Sequence, residues 1–352
     1  MLLQLLRACA ERVPEPLYPS QYVKEQNLDR DIVDRGLDEL RRRGLIRLTD
    51  WVKDRGQGRA LTDAGTTALT TRDLAAAPPE PVIDEQRYTH YERGEEVRRA
   101  MLERRPVYAS WVLLAVILIF FVGGAILAAF MHDGAVADYL KLGDTLVLHR
   151  LGALWPPITI PDPAIFEGRP ELERLLLFAF LHAGILHLAL NAYFLGSLGR
   201  DIESIWGSWR FLVIYFIAGL VSGCVVVAIN YLQYPDWREI PVTVGASGPL
   251  YGVFASLVVW FALNWEHLPD NFAADYSRQL TGMAVVLLIG NFWPHVSWQG
   301  HLGGAIGGAL AALLLNLHRF HPHRGVRWLA LLRLPAIPGG FFLLAAWIAG
   351  WF

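Results

Sequence analysis

The spacing of charge along the chain limits its fold more than any other feature. Charged residues are dense up to Arg105. From Pro106 to His132 there is then no Asp, Glu, Lys or Arg. Further charge-free windows run Leu175–Gly199, Phe211–Pro235, Ile240–Trp265, Gln279–His318 and Leu334–Phe352. A helix needs about 20 apolar residues to cross the ~30 Å hydrocarbon core. The Gln279–His318 window is long enough for two spans, and Asn291-Phe-Trp-Pro-His295 divides it, because Pro294 biases Trp293 away from helix. Six spans are therefore expected. The last window has room for a seventh, although Pro335 and Pro338 near its start also suit an interfacial segment. Apolar types at 54% and charged residues at 18% agree with a membrane protein, the ordinary charged share being about a quarter. Thirteen Trp suit anchors at the lipid–water boundary. The net charge of −2, from 31 basic and 33 acidic residues, excludes a global basic field for nucleic acid. The two cysteines, Cys9 and Cys224, form no disulfide framework.

Loop charges orient the spans. With the N-terminus inside, the inner flanks hold Arg98, Arg99, Arg104, Arg105, Arg200, Arg210, Arg278, Arg319, Arg324 and Arg327. The outer loops hold Lys141, Arg150, Arg169, Arg174 and Arg238. Ten against five favours a cytoplasmic N-terminus, and no signal-peptide pattern precedes the first window.

Residues 1–73 read as a small globular domain. Leu2–Glu11 is helical in pattern, Ser20 is a cap for a second helix, and Asp29 or Asp31 for a third. Ile32, Val33, Leu37 and Leu40 form one apolar stripe on that third helix. Gly44 stops it, Leu45–Leu48 alternates as a strand, and Asp54-Arg-Gly-Gln-Gly58 marks a hairpin tip. A second strand near Arg59–Thr62 leads into a helix at Asp63–Leu69. Helices followed by a two-stranded wing resemble a winged helix-turn-helix domain. Its 13 basic and 12 acidic residues argue against DNA binding and leave a protein partner as the better expectation. Residues 74–105, with three Pro in Ala75–Glu85, form a linker and juxtamembrane segment.

Three polar groups interrupt the apolar windows, and such groups are costly in a bilayer and usually functional. They are His182-Ala-Gly-Ile-Leu-His187-Leu-Ala-Leu-Asn191, Gly245-Ala-Ser247-Gly248-Pro-Leu-Tyr251, and Gly300-His301-Leu-Gly-Gly304 continuing to Gly308. His187 and Asn191 are four apart and share a helix face. His182 lies about 140° away from His187 on a continuous helix. Ser247 and Tyr251 are also four apart. His301, Gly304 and Gly308 make a smooth strip that a neighbouring helix can approach. All three groups open spans that run from outside to inside, so they lie at similar depth and can converge. Ser247 then becomes a nucleophile if His301 takes its proton. Asn191, His187 and the Ser247 N–H can serve a developing oxyanion. Gly245 and Gly248 let a substrate chain come close, and Tyr251 can stack on His301. No intramembrane Asp or Glu is available, so the expectation is a Ser–His dyad. Metal binding by His182, His187 and His301 lacks a His-Glu-x-x-His spacing and a nearby carboxylate. No metal or cofactor is expected.

Taken together, these motifs resemble the rhomboid family of intramembrane serine proteases over residues 106–318. Asp201-Ile-Glu203-Ser-Ile-Trp-Gly207 with Arg210 and Tyr215 is similar to the family's stretch between spans two and three. Glu171 and Arg174 echo its acidic-x-x-Arg feature. Glu173-Arg174 stands where the family often has Trp-Arg, and Trp298-Gln-Gly300 precedes His301 where an Ala is common. The resemblance implies Ser247 as nucleophile, His301 as base, His187 and Asn191 as oxyanion donors, and His182 as a supporting, water-organising residue. It also implies membrane-protein substrates cleaved in or beside transmembrane segments.

The expected fold is thus an all-α polytopic membrane protein. It would be a rhomboid-like six-helix bundle (106–318) with room for a seventh span in 319–352, after a small α+β winged-helix-like domain. The loop Asp133–Glu173 would be a cap whose Trp155, Pro156, Pro157, Ile158, Ile160 and Phe166 sit in the lipid interface. The expected location is a bacterial inner membrane. Two rival readings are a catalytically inactive rhomboid-like protein that binds membrane clients, and a membrane-anchored winged-helix regulator.

Overall fold

The computed structural model describes residues 1–52, 55–71, 74, 107–162, 169–268, 270–293, 296–321 and 323–351. Phe166, Pro294 and nearly all of the expected linker lie outside them. Two compact units are present, divided between Glu92 and Arg93.

The first unit contains α1 (Leu2–Ala10), α2 (Pro19–Gln26), α3 (Arg30–Arg42), β1 (Ile46–Val52), β2 (Gly56–Leu61) and α4 (Asp63–Thr71). The strands pair antiparallel, with Ile46 opposite Leu61 and Val52 opposite Gly56. Leu5, Leu6 and Cys9 of α1 pack with Val33, Leu37 and Leu40 of α3. Ile32, expected in that stripe, is exposed. Asp29 caps α3, its carboxylate accepting from the Ile32 N–H at 3.3 Å. Ser20 is not a cap: Pro19 takes the first position of α2, where its missing N–H costs nothing. The Ser20 hydroxyl instead accepts from Arg30 at 3.0 Å.

The second unit is a helical membrane bundle. It contains α5 (Ala109–Ala129), α6 (Ala135–Leu142), α7 (Thr145–Leu151), α8 (Pro156–Thr159), α9 (Arg174–Leu177) and α10 (Ile185–Trp206). After these come α11 (Ser208–Gln233), α12 (Ser247–Asn264), α13 (Asp270–Gly290), α14 (Trp298–Phe320), α15 (Arg324–Arg333) and α16 (Ala336–Ile348). Among the described residues, five helical stretches are long and apolar enough to cross a bilayer. The segment Arg174–Phe180 plus Ile185–Trp206, bent by 92°, makes a sixth. The last of the five, Arg324–Ile348, overlaps the window with room for a seventh span, whereas α13, in the window expected to hold the fifth, is not among these stretches. Helix α13 starts nine residues before the charge-free window at Gln279, because its first turns carry Asp270, Asp275 and Arg278. Charged residues at a helix end reach headgroups and water, so absence of charge underestimates helix length.

Helices α11, α12 and α14 form the tightest group, and backbone approach explains it. A Cβ at Gly304 would collide with the backbone of Gly248, and one at Gly308 with the carbonyl of Gly252. The neighbouring Gly303 and Gly307 face Val221, Ser222 and Val225 of α11. The start of α5 is closed by one buried carboxylate. Glu203 of α10 accepts from the N–H groups of Ala109 at 3.0 Å and Ser110 at 2.9 Å. It also accepts from the hydroxyls of Ser110 at 2.7 Å and Ser208 at 2.6 Å. These bonds satisfy donors that a helix start leaves open.

The loop before α10 packs into protein rather than into the lipid interface. Pro156, Pro157 and Ile160 are buried, Ile158 and Trp155 half-buried, and the Trp155 ring N–H donates to the Ile240 carbonyl at 3.1 Å. Among the described residues of this loop, the exposed large apolar side chains are instead Leu142, Leu146 and Leu172, with Phe130 just before it. Buried Arg174 fastens the loop from beneath. It donates to the carbonyls of His149 at 2.9 Å and Ala153 at 2.8 Å and pairs with Glu171 at 2.6 Å. Helix α16 covers the far side, where Ala345, Ala346 and Ala349 join Leu154, Ile160, Leu175 and Cys224 in one core. The Trp351 ring N–H donates to the Pro161 carbonyl at 2.7 Å.

Candidate active site

Ser247 is the first residue of α12, and the chain leading to it is held by main-chain bonds. Thr243 and Leu154 exchange N–H···O bonds of 2.9 and 3.0 Å, and the Gly245 N–H donates to the Phe178 carbonyl at 2.9 Å. Gly245 has φ of 131°, a conformation that side-chain-bearing residues rarely adopt. A Cβ there would also press on the ring of His187. His301 lies in the first turn of α14, whose start is capped by the Ser297 hydroxyl accepting from the Gly300 N–H at 3.3 Å. Ser222 of α11 donates to the Gly300 carbonyl at 2.8 Å, which pins that turn from the other side.

These supports bring Ser247 Oγ to 2.9 Å from His301 Nε2. Ser247 is half-buried and His301 buried. The Tyr251 ring lies flat on the imidazole, with centroids 3.9 Å apart and planes 10° from parallel. The other imidazole nitrogen, Nδ1, is 2.7 Å from the side-chain oxygen of Asn291. The Asn291 amide nitrogen is 3.0 Å from both the Tyr251 hydroxyl and the Leu287 carbonyl. Tyr251 also donates to the Leu287 carbonyl. Sequence reasoning took the Asn291 stretch only as a helix break.

The remaining residues singled out from sequence divide into three placements. His187 Nδ1 accepts from the Ala183 N–H at 3.3 Å. In a neutral ring the proton then sits on Nε2, the atom that borders Gly245 beside Ser247. The Asn191 amide is turned along its own helix, donating to the His187 carbonyl at 3.0 Å. His182 is not on that helix, so the 140° estimate does not apply. The chain is broken between Phe180 and Ile185, and Gly184 with φ of 88° begins α10. His182 is fully buried in this break, edge-on to His187 at 5.1 Å. Gly248 and Gly304 lie beneath the site as the contact between α12 and α14, with Gly308 one turn further on.

A hydroxyl hydrogen-bonded to a ring-held imidazole, next to N–H donors in an apolar bundle, has the parts needed for acyl transfer.

Comparison with known proteins bears on the same region. Residues 169–317 match the rhomboid domain family. The chain is 32% identical over 176 residues to rhomboid protease GluP of Bacillus subtilis (strain 168), covering 49% of this chain and 31% of that protein. It is 30% identical over 146 residues to rhomboid-like protease 3 of Toxoplasma gondii, covering 42% and 52%. It is 27% identical over 229 residues to human rhomboid-related protein 3, covering 60% and 49%. The chain thus spans between about a third and a half of the length of these curated relatives. The segment of the membrane unit that is similar to the rhomboid domain includes both Ser247 and His301, and the named relatives support a likeness to the rhomboid family there.

Proposed function

We propose that the protein is an intramembrane serine endopeptidase that hydrolyses peptide bonds in or next to transmembrane segments of other membrane proteins. The observation that carries this reading is the 2.9 Å contact between Ser247 Oγ and His301 Nε2. His301 Nε2 takes the hydroxyl proton as Oγ adds to the scissile carbonyl carbon. The carbonyl oxygen becomes an oxyanion, for which the Ser247 N–H, His187 Nε2 and the second N–H of the Asn191 amide are the donors at hand. The C–N bond then breaks, His301 passes its proton to the leaving amine, and an ester remains on Ser247. Water deprotonated by the same ring hydrolyses the ester and restores the hydroxyl. A substrate helix hides its carbonyls in its own hydrogen bonds, so it must unwind locally to be cut.

The N-terminal unit fits a winged-helix-like module that serves a protein partner, its balanced charge giving no footprint for DNA. The excess of Arg on the inner flanks supports a cytoplasmic N-terminus, and a bacterial inner membrane is the proposed location.

The test compares wild type with Ser247→Ala and His301→Ala in liposomes carrying a single-span substrate. Both variants should lose cleavage while unfolding at the wild-type temperature. Cleavage by Ser247→Ala would overturn the mechanism. No cleavage by any form, with membrane proteins retained in pull-downs, would favour a client-binding role.

A further inference from the structure

His301 needs more than proximity to act as a base: its proton must sit on Nδ1, so that the Nε2 lone pair faces Ser247. One main-chain oxygen decides this. The Leu287 carbonyl can only accept, and the Asn291 amide approaches it at 3.0 Å. If the amide were turned over, its oxygen would face that carbonyl, acceptor against acceptor. The NH₂ end therefore points to Leu287 and to the Tyr251 hydroxyl, which accepts from it and donates to the same carbonyl. The amide oxygen is left facing His301 Nδ1 at 2.7 Å. An amide oxygen carries no hydrogen, so Nδ1 must supply one, and the neutral ring presents a bare Nε2 to Ser247.

From this chain of donors and acceptors we propose that Asn291 is a positioning residue that fixes the tautomer and plane of His301. Resting on the protease reading above, it replaces the expected two-residue arrangement with a Ser–His–Asn line whose third member is uncharged. Tyr251 holds the ring by its face and Asn291 by its edge, and both are tied to Leu287. That carbonyl and the amide come from the outer end of α13 and the residue just past it. Of the described side chains of α13, only Tyr276, Leu280 and Leu287 are buried. Val285, Val286, Leu288 and Ile289 are exposed. The ring is thus oriented from a helix that has little other attachment. When the end of α13 lies against α12 and α14, the tautomer is set, and when it moves away the constraint goes with it.

The groups that titrate beside this ring are His187 from α10 and Tyr251 from α12. Among the described residues no carboxylate bonds to it. A carboxylate placed at 291 would therefore change its titration, which gives a readout that a purely structural role would not move.

The experiment measures kcat and KM from pH 5 to 9 for the full chain in liposomes with a single-span substrate. It compares wild type, Asn291→Ala, Asn291→Asp and Ser247→Ala, and a fluorophosphonate probe reports Ser247 reactivity directly. Asn291→Ala should lower kcat and probe labelling by roughly 10- to 100-fold, as expected when a reacting group loses its orientation, with KM within about 2-fold of wild type. Asn291→Asp should recover most of that loss and move the acid limb of the rate profile to higher pH, because a carboxylate at Nδ1 favours the imidazolium. The positioning role is overturned if Asn291→Ala stays within about 2-fold of wild type in kcat. It is also overturned if Asn291→Asp keeps the wild-type pH profile, which decides the matter should the alanine variant not fold. Neither outcome touches the protease reading. That reading, and this inference with it, fails if Ser247→Ala still cleaves or if wild type neither cleaves nor labels.

Discussion

Tyr251 touches His301 by its ring and, through Asn291, by its hydroxyl, and two substitutions separate the contributions. Tyr251→Phe keeps the stacked face and loses the hydroxyl, whereas Tyr251→Ala loses both. The alanine variant should be slower than the phenylalanine variant by roughly 2- to 10-fold in kcat/KM, the worth of an aromatic pair of about 0.5–1.5 kcal/mol. Equal rates would show that the face contact contributes nothing. At this scale the sequence is readable where side chains share a helix phase. Ser247 and Tyr251 are four apart on α12, so a ring stacked over a base near Ser247 follows from spacing alone. His182 is misjudged by the same logic, because the phase ends at the break before Ile185. Asn291 leaves no signature at all. It is an uncharged amide in a turn, and its importance comes from a carbonyl four residues back and a ring ten residues ahead.

Single helices and their connections show where charge-free windows inform and where they mislead. The windows coincide with the stretches long and apolar enough to cross a bilayer, α13 excepted, since lipid tolerates few unpaired charges. They miss the polar first turns of α13 and the bend in the second span, where backbone conformation rather than hydropathy decides. The connection from α5 to α7 carries a pH dependence of its own. His132 Nε2 and the Asp144 carboxylate are 3.0 Å apart, and that carboxylate also caps α7 through the Val147 N–H at 2.9 Å. The Asp133 carbonyl and the Asp144 carboxylate raise the His132 pKa above its ordinary 6.5. The Val147 N–H, with His132, holds Asp144 below its ordinary 3.8. The His132 contribution is therefore complete below about pH 6.5 and is lost as pH rises through the raised value. The Asp144 contribution is present above about pH 3.8 and is lost only on further acidification. Amide exchange at residues 145–148 should be slower at pH 5.5 than at pH 8, after correction for intrinsic rates, and His132→Ala should erase the difference. A difference that survives in the variant would assign the effect elsewhere.

Across the whole molecule the two units answer different physical demands. The membrane unit exposes Trp111, Ile119, Val122 and Phe130 along α5 and its end, surface suited to lipid, and surrounds the buried Glu203 carboxylate with N–H and hydroxyl donors. The N-terminal unit has an ordinary apolar core under a surface of mixed charge. A fragment of residues 1–74 should bind duplex DNA no better than a weak, non-specific ligand, followed by fluorescence anisotropy across a salt series. Tight binding to particular sequences would instead establish a regulator anchored in the membrane. Composition makes the division into units plain, whereas the helix-to-hairpin order of the first unit says little about its partner, since a fold does not fix a function. The thin seating of α13 has one last consequence. Its N-terminal half meets α10 through Gln279 and Asp201 at 3.3 Å, and its C-terminal end carries the groups proposed to aim His301. On the protease reading proposed above, a wall held in this way would work as an interlock: were it to swing out, the base would lose its aim, and cutting would wait until the wall had closed again.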